Sequence, residues 1–149
     1  MRDFDRPLDD TGNSDSEAIG NAMAAADYVP DMTLCSGAAR ARQTLAGIAG
    51  RTDTGKVVFS DQLYITDAAG YLDMIREQNG ADALLVIGHN PMMEDLALAL
   101  SGSGDDAARA SLNTGFPTAG LAVISFDGGL AAAAPGKGRL EAFILPGEA

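Results

Sequence analysis

Apolar residues along the chain fall into two patterns, short continuous runs and stripes at helical spacing, separated by polar stretches that carry glycine and proline. Continuous runs of four or five suit strands buried on both faces, and stripes at i, i+3 and i+4 suit helices with one face inward. Residues 1–12 show neither pattern and read as an exposed, polar, proline-bearing loop. Ser14 with Glu17 then forms a capping box, and Ala18, Ile19, Ala22, Met23 and Ala26 make the stripe of a helix that Pro30 closes. Residues 32–35 are a strand candidate broken by Gly37, followed by an alanine-rich helix over 38–49. Residues 56–59 predict another strand, and Asp67 caps a helix running to about Gln78 with Leu72 and Ile75 inward.

The stretch over 84–102, LLVIGHNPMMEDLALALSG, holds the chain's only histidine. Residues 83–87 are a continuous apolar run, and Asn90 with Pro91 has the form of an N-cap followed by a proline at the first helical position. Met93, Leu96, Ala97 and Leu100 then recur at helical spacing until Ser101, Gly102, Ser103 and Gly104 end the helix. His89 therefore stands between the carboxyl end of a strand and the positive end of a helix, the usual ligand crevice of an open α/β sheet and a place suited to an anion. Beyond a Gly, Ser and Asp-rich loop with one helical turn near 107–112, residues 120–126 and 139–145 predict two closing strands joined by a loose loop over 127–138. The alternation predicts one domain over 1–149, α/β in class: a three-layer α/β/α sandwich with a mainly parallel sheet and room for an antiparallel edge. One element is out of place, because the first helix has no strand before it and a right-handed crossover needs one.

Composition narrows the partners. A length of 149 residues suits a single core, and the net charge of −11 argues against nucleic acid or an anionic membrane as partner. A bound phosphate would have to be held by a few local arginines. Cys35 is the only cysteine, so no disulfide framework forms and a reducing, cytoplasmic setting is expected. No apolar run approaches the ~18 residues of a membrane helix, and the start MRDFDRPLDD lacks a signal-peptide core. One histidine and one cysteine without ligand spacing predict neither a metal nor another cofactor.

Two strand ends carry the candidate chemistry: CSGAARARQT from Cys35, and Gly88-His89-Asn90-Pro91. Arginine beside a helix start suits a phosphoryl group, since its planar fork supplies paired donors and the helix dipole adds positive potential. Taken singly, Arg40 and Arg42 read as surface ion pairs of an acidic protein and His89 as a satisfied structural histidine. A cysteine-based phosphatase would need its arginine at position 41, which is Ala41, so Cys35 reads as a small buried residue. The segment GRTDTGK over 50–56 imitates a nucleotide-binding loop, but Val57 stands where Ser or Thr is required and a helix precedes it instead of a strand. There is no Gly-x-Ser-x-Gly elbow, and Met92 and Met93 read as packing residues.

Together, LCSGAARARQT and LLVIGHNPMMEDLALALSG resemble the histidine phosphatase superfamily, which is phosphoglycerate mutase-like in fold, and within it the bacterial SixA-like phosphohistidine phosphatases. DFDRPLDDTG near the start and FPTAGLAVISF near the end resemble family segments too, so the likeness runs over nearly the whole chain. The resemblance implies that Arg40 binds phosphate, that His89 is the second histidine of the pocket, and that Arg6 is a further basic residue at its mouth. It implies a phosphorylated protein or small phosphoester as substrate, and two-step covalent catalysis through a phosphohistidine. Members open with a central strand ending in Arg-His-Gly or Arg-His-Ala whose histidine attacks. That segment would stand just before Asp3, so residues 1–149 are expected to be an N-terminally shortened domain without its first strand and nucleophile. The alternative is an inactive module that binds phosphate or a phosphoprotein. Asp61, Asp67 and Glu94 are candidates for the general acid by placement only.

Overall fold

The computed structural model describes residues 1–78 and 80–148. The opening segment is not all loop. Asp3–Asp5 forms a 3-10 turn, and α1 runs over Asp10–Ala25, starting earlier than the Ser14–Glu17 pattern predicts because the Asp9 carboxylate captures the amide of Gly12 at 2.7 Å. The next elements fall where the apolar pattern puts them: β1 at Met32–Cys35, α2 at Ala39–Ala49 and β2 at Lys56–Phe59. A short α3 over Gln62–Ile65 precedes α4, Ala68–Arg76, which Asp67 caps through the amide of Gly70. β3 is Leu84–Ile87 and α5 is Met92–Leu100. Pro91 stands one position before α5, and Asn90 makes the capping contact from further out, its Oδ1 accepting the amide of Glu94 at 3.2 Å.

The second half departs further from the pattern. Ser101–Gly104, expected only to end a helix, is a strand, β4, parallel to the last strand. A Ser-Gly repeat carries no apolar signal, yet a Cβ at Gly102 would run into the carbonyl of Gly136, so the close approach selects glycine here. The single turn expected near 107–112 is a full helix, α6, over Asp106–Asn113, capped by Asp105. β5, Leu121–Ser125, and β6, Gly138–Ile144, close the chain as an antiparallel pair, with a 3-10 turn at Leu130–Ala132 in the loop between them.

The strands form two sheets instead of one. β2-β1-β3 is wholly parallel, while in β4-β6-β5 the first pair is parallel and the second antiparallel. The mainly parallel character and the antiparallel edge are as expected. Among the described residues no backbone pairing joins the sheets: β3 and β5 present open edges to a cavity of about 480 Å³, whose lining includes both strands together with Met23 of α1 and Met93, Leu96 and Leu100 of α5. Helices cover both faces. Ile19 and Met23 of α1 with Leu45 and Ile48 of α2 pack on one side of Leu85 and Ile87, and Leu63, Leu72, Ile75, Leu96 and Leu100 pack with Leu34 on the other. Ala108 and Leu112 of α6 close a smaller cluster over Leu140 and Phe143. The three layers of the expected sandwich are thus present.

Candidate functional site

Register places the site. β1 and β3 are adjacent and parallel with Cys35 opposite Ile87, so the residues that follow, Ser36 and Gly88, leave the sheet side by side. The Ser36 amide extends the ladder by donating to the Ile87 carbonyl at 2.9 Å. Each chain then enters a helix, α2 after Ser36 and α5 after His89, so two helix starts share one edge of the sheet. Gly88 is required by close approach: a Cβ there would lie 2.6 Å from the ring of the fully buried Tyr71. The Tyr71 hydroxyl donates to the Leu63 carbonyl and accepts the His89 amide at 3.1 Å, which fixes the backbone beneath the histidine.

His89 Nε2 lies 2.7 Å from the hydroxyl of Ser36, which also accepts the amide of Ala38 at 3.2 Å. A hydroxyl can donate to or accept from the ring, so Ser36 holds His89 in either neutral tautomer. The ring is half-buried, and burial lowers its pKa below the ordinary 6.5; the Arg40 guanidinium pushes the same way and Asp3 opposes. His89 is neutral at pH 7 on that account. The Tyr64 and His89 rings pack in a T-shape with centroids 5.2 Å apart, and Phe4 packs on Tyr64 at 5.0 Å.

A cavity of about 330 Å³ opens at this edge, and Arg6, Arg40, Thr44, His89 and Asn90 are among its polar lining. The structure therefore brings together the three residues singled out in the sequence, with Arg40 mostly covered and Arg6 exposed at the mouth. Arg40 donates through Nη1 to the Asp3 carbonyl at 2.9 Å and through Nη2 to Asp3 Oδ2 at 3.0 Å. Arg6 Nη2 stands 3.2 Å from Asp3 Oδ1, and the Tyr64 hydroxyl donates to Oδ2 at 2.7 Å. The Tyr64 hydrogen bond first, and Arg40 next, hold the Asp3 carboxyl below its ordinary range.

Other candidates serve the scaffold. Arg42 donates to the Gly37 carbonyl at 2.9 Å and lies over the ring of Phe59, outside the cavity lining. Cys35 is fully buried, its thiol pushed up to about 12 by burial, which suits packing and not attack. Of the carboxyl candidates, Asp67 caps α4, Glu94 accepts the Phe116 amide at 3.0 Å, and Asp61 sits against Gly37; none lines the cavity. Among the described residues no group of three or more His, Cys, Asp or Glu could hold a metal ion, and no helix is long and apolar enough to cross a membrane. Sequence reasoning passed over Asp3, Ser36 and Tyr64. Ser36 was findable from its place directly after a strand, beside the other strand end, whereas Asp3 and Tyr64 come from remote segments that only the fold brings together.

Comparison with known proteins decides the family. An uncharacterised protein of Mycobacterium tuberculosis is 36% identical over 151 residues, with 98% of this chain and 92% of that protein covered. The crystal structure of a candidate phosphohistidine phosphatase SixA from Agrobacterium tumefaciens matches with TM-score 0.81 and 35% identity over 98% of this chain and 87% of that one. The chain belongs to the SixA-like histidine phosphatases. A second candidate SixA structure, from Nakamurella multipartitia, matches with TM-score 0.83 and 29% identity over 98% of this chain and 88% of that one. No family model matches the sequence. The mixed α/β fold and the histidine phosphatase function expected from the motifs agree with these SixA-like neighbours.

Proposed function

We propose that this chain carries the phosphoryl-holding side of a histidine phosphatase pocket, with phosphohistidine on a protein or a small phosphoester as its substrate class. The observation that supports the reading most is the convergence of Arg40, Arg6 and His89 on one cavity in a protein whose net charge is −11. The planar fork of Arg40 offers paired donors to two phosphoryl oxygens, and His89 offers a third contact from the facing strand end. Charge that spreads over the equatorial oxygens in the transition state is stabilised by donors already in place, which is the main catalytic contribution such a site can make.

In the two-step route a histidine nitrogen forms a bond to phosphorus while the bond to the leaving group breaks, and water then takes the phosphoryl group from that nitrogen. His89 matches the supporting histidine of its motif, and the sequence holds no second one. The alternative reading is a phosphate-binding module without turnover. Purified protein separates them. Hydrolysis of p-nitrophenyl phosphate that disappears in His89→Ala supports an enzyme, and binding of phosphate or vanadate with no turnover supports the module. Loss of neither activity nor binding in Arg40→Gln and His89→Ala would sink the pocket assignment itself.

A further inference from the structure

The Asp3 carboxylate is held as a bound anion would be. Both its oxygens are engaged, Oδ2 by Arg40 and by the Tyr64 hydroxyl, Oδ1 by Arg6, and the Asp3 carbonyl takes the remaining terminal nitrogen of Arg40. Arg40 thus places both terminal nitrogens, and Arg6 one, on a single residue of the chain. Asp3 itself is half-exposed and sits on a three-residue 3-10 turn, anchored besides by the Arg2–Asp5 pair, by Arg2 over the Phe4 ring and by the packing of Phe4 on Tyr64. None of the turn's three residues is fully buried, and Phe4, the most covered of them, lies over Gly37 as well as Tyr64.

We propose that Asp3 is an internal counter-anion, a latch that occupies the anion-binding faces of Arg40 and Arg6 and must be displaced by an incoming phosphoryl group. The inference rests on the phosphoryl-pocket reading of the same site and adds its regulation. A tethered carboxylate competes at an effective concentration on the order of millimolar, so a ligand has to offer more than Asp3 does. A monoanion with two oxygens only repeats what the carboxylate provides. A dianionic tetrahedral group brings a second charge and a third oxygen, which His89 in the cavity lining is placed to meet. Tyr64 is the pivot of the latch: its hydroxyl holds Asp3 while its ring packs in a T-shape with His89, so displacement of Asp3 frees a group already touching both halves of the site.

The sign of one measurement decides the matter. Inorganic phosphate is titrated calorimetrically into the wild-type protein, Asp3→Asn, Tyr64→Phe and Arg40→Gln, with thermal unfolding recorded for each. Release of an exposed ion pair predicts that Asp3→Asn binds phosphate about fivefold tighter. Tyr64→Phe, which weakens the latch without touching an arginine, gains about twofold, and Arg40→Gln loses binding. If Asp3→Asn unfolds at the wild-type temperature and binds phosphate no tighter or more weakly, Asp3 positions Arg40 instead and the latch is wrong. If Arg40→Gln binds as well as wild type, or if none of the four proteins binds, the pocket reading fails first and takes the latch with it.

Discussion

In β2-β1-β3 every pair is parallel and in unbroken register, so the carboxyl ends line up and two neighbouring chains leave the same edge for helices. In β4-β6-β5 the register shifts between Ser101 and Ser103 and again between Val123 and Ile124, and the last pair is antiparallel. Strand ends are scattered there, and no two adjacent ones feed helix starts. Ser36 and His89 come directly from strand ends of the first sheet, and Arg40 from the helix that follows one of them. The second sheet contributes the wall of the apolar cavity and a seat for α6. A binding site of this kind needs parallel ends in register more than it needs a large sheet.

Truncating the core of each sheet tests whether the two unfold as one cooperative unit. Leu34 and Leu140 occupy the central strands of the two sheets, at 2% and 0% exposure. Truncation of either to alanine should cost about 2–5 kcal/mol. Because α5 packs Leu96 and Leu100 into the first sheet's cluster and Ala97 into the second's, both variants should lower one shared urea transition. Two separate transitions, each moved by only one of the variants, would show that the cavity divides the molecule into independent halves.

Glycine substitutions probe the same contrast on a smaller scale. Gly88→Ala drives a methyl group into the Tyr71 ring and should cost about 1–3 kcal/mol while weakening phosphate binding, because the His89 backbone hangs from the same tyrosine. Gly147→Ala meets nothing within 4 Å and should stay within about 0.5 kcal/mol. Equal costs at the two positions would mean that the loop after β3 yields easily and does not fix the histidine.

Hydrogen exchange tests the open edges directly. β1 and β6 are bonded on both sides, whereas β3 and β5 each have one edge on the cavity. Amides of β3 and β5 that point into it should exchange about tenfold or more faster than those of β1 and β6. Uniform protection across all four strands would mean that the two edges are paired in solution.

The first sheet was readable in the sequence because its signals are local. The runs at 32–35, 56–59 and 84–87 are apolar and short, each is bounded by breakers, and a helix with its own stripe follows. The same locality put His89 and Arg40 at strand-to-helix seams. Ser101–Gly104 was unreadable for the opposite reason: its strand character is imposed by β6 and by a close approach to Gly136, and a Ser-Gly repeat states neither. The start of α1 was misplaced because two capping signals compete over Asp9–Glu17 and the outer one wins. Asp3 and Tyr64 lay beyond reach, since they are 61 residues apart and their hydrogen bond exists only once the 3-10 turn at Asp3–Asp5, α3 and α2 are folded together.

The smallest effect expected is a pH dependence carried by His89, which no residue of the second sheet can imitate because the chain has no other histidine. Burial and Arg40 hold its folded pKa below 6.5, so as pH falls past 6.5 the unfolded chain takes up a proton before the native protein does. Stability from this group is therefore level above 6.5 and declines between 6.5 and the lower folded value. The ring is only half-buried, so solvent screening limits the loss to about 1 kcal/mol or less. Anion binding should run the other way. Sulfate stays dianionic across this range and favours the charged ring, so its affinity should rise as pH drops from 7.5 to 5.5, while Asp3, held below its ordinary range, remains ionised throughout. In His89→Gln both trends should flatten. Sulfate affinity that falls on acidification in the wild-type protein would mean that the ring serves Ser36 alone and does not face the ligand.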